Sequence, residues 1–206
     1  MKKVFITTAT LVFLAGCAAT GTDYNKMTQD VLKSSFESRH IATVDRLNQD
    51  ALQAACSEAE MTGKDLDPAL RKKLEAAEMA SIKYPADGKF FGDWTKAEKT
   101  AQSGDGHTWK KLKDGTPNGG NCYNCHQITK KELSYGNIGP SLYQYGKLRG
   151  SGDDVVKYTW GKLYNAKAYN ACSNMPRMGH KNLLTEQQLK DIMAYLFDPN
   201  SPVNKD

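Results

Sequence analysis

Histidine and cysteine are scarce in this 206-residue chain, with four and five copies, so any chemistry they share has to show as close grouping. Strand-like alternation of apolar and polar residues is missing, as are internal repeats and low-complexity tracts. Beyond Leu14 no apolar run reaches spanning length, which leaves the rest of the chain as a water-soluble domain that is at most tethered. A strong charge bias is also absent. The formal charge is +5, and +3 without Lys2 and Lys3. Acidic and basic residues alternate in stretches such as "RKKLEAAE" and "KAEK", the pattern of solvated helix faces, so no phosphate-tracking stripe and no nucleic-acid partner is implied. A hydrophobic content of 39% is enough for one cored domain plus an extension, or for two very small domains.

The first residues, "MKKVFITTATLVFLAGCAAT", join a basic start to an apolar run from Val4 to Leu14 and then to small residues, the layout of a bacterial export signal over residues 1–16. "LAGC" resembles a lipobox, in which Cys17 is acylated and becomes the new N-terminus; cleavage near Ala18 or Ala19 is the alternative. Either route leads to the periplasm, with a lipid tether in the first case.

An oxidising compartment permits disulfides. Setting aside Cys17 and the close pair Cys122/Cys125 leaves Cys56 and Cys172, an even remainder that favours a bridge, with two separate buried thiols as the alternative. A bridge would brace the loop that follows Cys172.

"CYNCH", Cys122 to His126, is the spacing of covalent c-type haem attachment. Two thiols one helical turn apart can each form a thioether with a vinyl group of one porphyrin, which places the adjacent imidazole under the iron as proximal ligand. A thioredoxin-like dithiol does not require His after the second Cys, and no strand pattern precedes this one. A structural zinc site needs further Cys or His at ligand spacing.

An electron carrier usually fills the sixth iron position from the protein. Candidates are Met175, Met178, His180, Met193 and His107. Met175 precedes Pro176, which biases it to an extended backbone, so its thioether can project from an irregular loop. Met178 and His180 are the runners-up. Met193 sits at helix-face spacing within "EQQLKDIMAYLF" and reads as core, while His107 in "GDGHTW" reads as a loop residue.

Helical spacing recurs through the chain. Apolar positions from Met27 to Leu52 predict helix between Asp23 and about Glu60. "DPALRKKLEAAEMASI" predicts a helix capped by Asp67 with Pro68 at its first position and Leu70, Leu74 and Ala77 on one face. A breaker-rich link runs from Lys83 to Gly92, then a short helix from an Asp93 cap to a Gly104 stop. The glycines of "NGGNCYNCHQ" should open a haem helix. "SGDDVVKYTWGKLY" predicts a helix capped by Ser151 or Asp153, and Thr185 with Gln188 predicts a capping box for a last helix burying Leu189, Ile192, Met193 and Leu196.

The order helix, C-x-x-C-H, Met-bearing loop, helix resembles the class I cytochrome c fold over roughly Asp93 to Asp198. The fold class expected is therefore all-α: a helical N-terminal extension over residues 17–83 and a cytochrome c domain over residues 84–206. In haem proteins of this kind the loop "GNIGPSL" would cross the proximal side, with the Pro140 carbonyl accepting the second ring N–H of His126.

Four stretches, "NGGNCYNCHQ", "GNIGPSLYQYGKLRG", "VKYTWGKLYNAKAYNACSNMPRMGH" and "LLTEQQLKDIMAYLFDPNSPVN", together resemble the SoxX family, mono-haem subunits of the SoxAX cytochrome of sulfur oxidation. The resemblance implies one covalent haem c on Cys122 and Cys125, His126 as proximal and Met175 as distal iron ligand. It implies a heterodimer with a SoxA-like haem subunit, acting as an L-cysteine S-thiosulfotransferase that joins thiosulfate to a cysteine of the SoxYZ carrier. In that scheme the partner holds the catalytic cysteine and this chain passes electrons to a downstream c-type cytochrome. A free-standing periplasmic electron carrier is the alternative, and a haem-based sensor ranks third because a Met-Pro loop fills the sixth site. The chain alone has no free exported thiol or paired acid and base for bond-forming chemistry.

Overall fold

The computed structural model describes residues 22–38, 43–106 and 116–205. The export signal, Cys17 and His107 lie outside the described residues. The chain forms two compact units that divide between Phe36 and Glu37. The first holds α1 (Tyr24–Ser35), which begins where the Asp23 carboxylate accepts the Lys26 N–H at 2.9 Å.

The second unit carries the remaining helices: α2 (Ala51–Thr62), α3 (Pro68–Ala80), α4 (Trp94–Gln102), the short α5 (Tyr145–Arg149), α6 (Asp153–Tyr164) and α7 (Glu186–Phe197). No strand occurs among the described residues. The fold is all-α. No helix among them is long and apolar enough to cross a membrane.

Helical periodicity between Asp23 and Glu60 does not become one helix. A 3-10 turn at Val44–Leu47 intervenes, and Asp50, in extended conformation, starts α2 afresh by forming a reciprocal capping box with Gln53. Gly63 then ends α2 in the left-handed region at φ 63°. In α3 the expected Asp67 cap and Pro68 start are present. Its inward face differs from expectation. Leu70 and Ala77 are exposed, and Leu74, Glu75 and Glu78 turn inward, because the two carboxylates have partners on a later loop.

Helices α4 and α7 pack against each other more extensively than any other pair. Fully buried Ala97 and Ala101, one turn apart, keep the α4 face narrow. The start of α4 is pinned to the middle of α7: the Gly92 N–H donates to the Lys190 carbonyl at 2.9 Å and the Asp93 N–H to Asp191 Oδ1 at 2.8 Å. A Cβ on Gly92 would sit 2.2 Å from that same carboxylate oxygen, so this approach requires glycine. The expected capping box of Thr185 and Gln188 opens α7, which buries Leu189, Ile192, Met193 and Leu196 as expected. Neither Ser151 nor Asp153 caps α6. Its N-cap is Gly152 without a side-chain bond, and Asp153 and Asp154 instead place negative charge in the first turn, against the positive end of the helix dipole. Trp160 of α6 is buried and donates its indole N–H to the Lys83 carbonyl at 2.9 Å, which ties the Lys83–Gly92 link to the core.

Candidate haem-attachment site

Three successive amides deliver the chain to the C-x-x-C-H motif. Gly119, Gly120 and Asn121 donate to the carbonyls of Asp105, Thr100 and Ser103 at 2.8, 2.7 and 2.9 Å, so this strand of backbone is laced to the end of α4. A Cβ on Gly119 would lie 1.8 Å from the Ser103 oxygen, and Asn121 takes a left-handed φ of 51°. The glycines are therefore needed for close approach, as the turn expectation required.

The expected haem helix is cut to one 3-10 turn, Cys122–Asn124. The Cys122 carbonyl accepts both the Cys125 and the His126 N–H, at 3.1 and 2.9 Å. Further growth is intercepted by the loop that follows: Gly136 donates to the Tyr123 carbonyl and Gly139 to the Cys125 carbonyl, each at 2.8 Å. Those acceptors would otherwise serve the next helical turn.

Cys122, Cys125 and His126 are all half-buried along this turn, and the two cysteines are free of disulfides. Burial pushes the Cys122 thiol up to about 12, so it is uncharged at neutral pH. Dithiol oxidoreductases need the opposite, a thiolate stabilised by its surroundings. The Cys122 thiol therefore lacks the activation that dithiol exchange requires. Among the described residues no three His, Cys, Asp or Glu side chains converge to hold a metal ion.

His126 Nδ1 lies 2.7 Å from the Pro140 carbonyl oxygen, the contact expected of the "GNIGPSL" loop. A carbonyl can only accept, so Nδ1 carries the proton and Nε2 keeps its lone pair for a metal. A Cβ on Gly139 would come 2.2–2.7 Å from three atoms of the ring, so the loop presses flat against the imidazole only as glycine. A Cβ on Gly120 would likewise meet Cys122 Sγ at 3.0 Å and Leu184 at 3.6 Å. Leu184 also lines a cavity of about 520 Å³ together with Trp160, Tyr164, Gly179 and Leu189, so one wall of that cavity adjoins the attachment motif.

The candidate distal residues separate by burial. Met178 is 4% exposed, belongs to the main core, and accepts the Leu183 and Leu184 N–H groups on its carbonyl at 2.9 and 3.1 Å. Met175 is half-buried at the edge of that core. Met193 is fully buried core, and burial lowers the half-buried His180 imidazole from its ordinary value.

Around Met175 the backbone is held from outside. Cys172 is disulfide-bonded to Cys56 of α2. Glu75 of α3 accepts the Ala171 N–H at 2.9 Å. Arg177, 5% exposed, pairs with the Asp50 carboxylate and, at 3.4 Å, with both oxygens of Glu78; Lys181 reaches Asp50 at 3.5 Å. Asn165 adds its amide to Glu78 at 2.5 Å. Burial alone would raise the Asp50 pKa, but the Gln53 N–H, the Arg177 guanidinium and Lys181 outweigh it and hold the carboxyl below its ordinary value.

Comparison with known proteins now bears on this site. The family described as "Cytochrome c" matches residues 110–198, a span that contains Cys122, Cys125, His126 and Met175. The chain carries a cytochrome c domain over that span. It is also 42% identical over 159 residues to an "Uncharacterized lipoprotein" of Aquifex aeolicus (strain VF5), a match covering 76% of this chain and 73% of the relative. A match of that length takes in α2 and α3, ahead of the cytochrome c span.

The cofactor of a cytochrome c domain is covalently bound haem c. The residues present fit it: two cysteines free of disulfides at the C-x-x-C spacing, an imidazole with its tautomer set by Pro140, and glycines where the motif is most crowded. Sequence reading missed the acidic partners of this cytochrome c domain, Asp50, Glu75 and Glu78. Their signals were a D-x-x-Q cap for Asp50 and two glutamates three residues apart, hence on one face, for α3.

Proposed function

We propose that the chain is the mono-haem, electron-accepting subunit of a periplasmic SoxAX-type L-cysteine S-thiosulfotransferase. The reading is supported by the four stretches that resemble SoxX and by the fate of the thiols. Among the described residues, Cys56 and Cys172 are consumed in a disulfide and Cys122 and Cys125 stand in the attachment motif, which leaves no sulfur for substrate chemistry. The bond-forming cysteine then has to belong to a partner, a SoxA-like haem subunit.

Joining thiosulfate to the carrier cysteine of SoxYZ makes one S–S bond from a thiol and a thiosulfate sulfur, and releases one proton and two electrons. Haem c, when bound, would supply a one-electron couple, so the two electrons would call for two turns of this chain, each passing one electron to a downstream c-type cytochrome. His126 supports the iron from the proximal side, oriented through Pro140. We assign Met175 as the distal ligand, because Met178 is committed to the core while Met175 is half-buried on a loop anchored at both ends. A thioether ligand favours the ferrous state and raises the potential, which suits an acceptor. An acylated Cys17 would tether the complex to the membrane, in keeping with the lipoprotein relative.

The second reading is a free-standing periplasmic carrier, favoured by the cytochrome c match alone. Affinity purification of the tagged chain from its native periplasm separates the two. A second c-type cytochrome in fixed proportion, seen by haem stain and mass spectrometry, is the expected result. A chain that purifies alone with one haem would overturn the subunit reading in favour of the carrier.

A further inference from the structure

We infer that Arg177, seated between Asp50 and Glu78, is a positioning residue that sets how firmly the Met175 thioether occupies the distal iron site. The inference rests on the assignment of Met175 as distal ligand. It gives residues 50–81, which precede the cytochrome c span, a function in haem chemistry.

From Tyr169 to Thr185 the chain forms no helix, so this loop has no internal ladder to hold its shape. Close to the ligand its own bonds are few: the Ser173 N–H donates to the Asn170 carbonyl at 3.0 Å and the Met175 N–H to the Ser173 hydroxyl at 3.2 Å. Further along, Gly179 and His180 donate to the Tyr164 carbonyl of α6 at 3.1 and 3.0 Å, and the side chains that fasten the stretch around Met175 come from α2, α3 and Lys167. The Lys167 ammonium donates to the Ala171 and Ser173 carbonyls at 3.2 and 3.0 Å. Upstream of Met175 the loop is fastened by Glu75 at Ala171 and by the disulfide at Cys172. Downstream the nearest side-chain fastening to a charged partner is Arg177, two residues on, whose side chain is 4% exposed.

Two features make Arg177 the sensitive point. Its planar fork engages two carboxylates that lie on different helices, Asp50 at the N-cap of α2 and Glu78 on α3, so it fixes orientation as well as distance. Pro176 separates it from Met175, and a proline restricts φ, so a displacement of Arg177 is passed to Met175 instead of being absorbed between them. A buried charge network with discrete partners has few intermediate positions. The hold on Met175 is therefore set in part by carboxylates at the start of α2 and on α3, ahead of the cytochrome c span.

The test uses the full-length haem-loaded protein and reads ligation directly. The probes are the sulfur-to-ferric-iron charge-transfer band and titration with imidazole, which competes for the distal position. Glu78→Gln preserves size and the acceptor for Asn165, and Arg177→Lys preserves charge but loses the fork. Each is expected to retain haem and helical content while binding imidazole about tenfold more tightly, the equivalent of about 1.4 kcal/mol. Arg177→Met, which removes the shared cation and leaves Asp50 with Lys181 and Glu78 with the Asn165 amide, is expected to weaken the band further.

Met175→Ala separates the two claims. Loss of the band in Met175→Ala establishes the ligand on which the inference depends, and persistence of the band would overturn that assignment. If Met175→Ala loses the band while Glu78→Gln and Arg177→Lys bind imidazole as the parent does, the ligand stands and the positioning role of Arg177 is overturned. Should Arg177→Lys fail to fold, the comparison of Glu78→Gln with the parent decides the matter alone.

Discussion

At the scale of single residues, the site depends on what is missing from the backbone as much as on what is attached to it. Gly139 has its hydrogen where a methyl group would lie 2.2–2.7 Å from the His126 ring. Gly139→Ala should force the ring away from Pro140 and cost about 1–3 kcal/mol, as overpacking does. Urea midpoints of the haem-loaded protein measure this, and an unchanged midpoint with unchanged proximal ligation would show the loop to be more yielding than its geometry implies. Asp50 offers a second residue-level check, through pH. Its folded pKa lies below the ordinary value, so the stability it contributes is complete above the unfolded pKa of about 3.9 and is lost as pH falls through the folded value. Asp50→Asn should be less stable at neutral pH, with an acid limb less steep than the parent's as pH falls below the ordinary carboxylate range. Acid titrations of both proteins, followed by circular dichroism, test the sign.

At the scale of elements, α2 and α3 act as a bracket for the loop that carries Met175. The Cys56–Cys172 bridge closes a loop with a sequence separation of 116. The chain-entropy model gives such a closure about 4–5 kcal/mol, less any native strain. Replacing both cysteines by serine should lower the thermal midpoint accordingly and should also weaken the sulfur–iron band, because the upstream fastening of the ligand loop is gone. A lower midpoint with an intact band would mean that the bridge stabilises the unit without acting on ligation.

Which elements could be read in advance follows from the range of the forces that make them. Caps are local, and Asp67 with Pro68, Asp93, and Thr185 with Gln188 all start helices where the spelling placed them. The C-x-x-C-H motif is local too, and its neighbour Pro140 was within reach of family geometry. The haem helix was overestimated because Gly136 and Gly139, ten or more residues on, take the carbonyls that would extend it. The inner face of α3 was misread as apolar because Glu75 and Glu78 find their partners at Ala171 and Arg177, nearly a hundred residues later. Periodicity records that a face is buried, and says nothing of a carboxylate that is buried because it is paired.

At the scale of the whole molecule, the unit beginning at Glu37 joins a cytochrome c domain to a preceding helical bracket. The domain carries the C-x-x-C-H motif, and the bracket fastens the loop that holds Met175, the distal ligand proposed above. The cytochrome c domain points to a haem electron carrier. The most direct measurement of that account is the intact and peptide mass of the chain purified from its native host. One haem added to the peptide holding Cys122, Cys125 and His126 through two thioethers, with Cys56 and Cys172 joined, is the expected result. A haem-free mass, or a metal held by Cys122 and Cys125 as free thiolates, would contradict it.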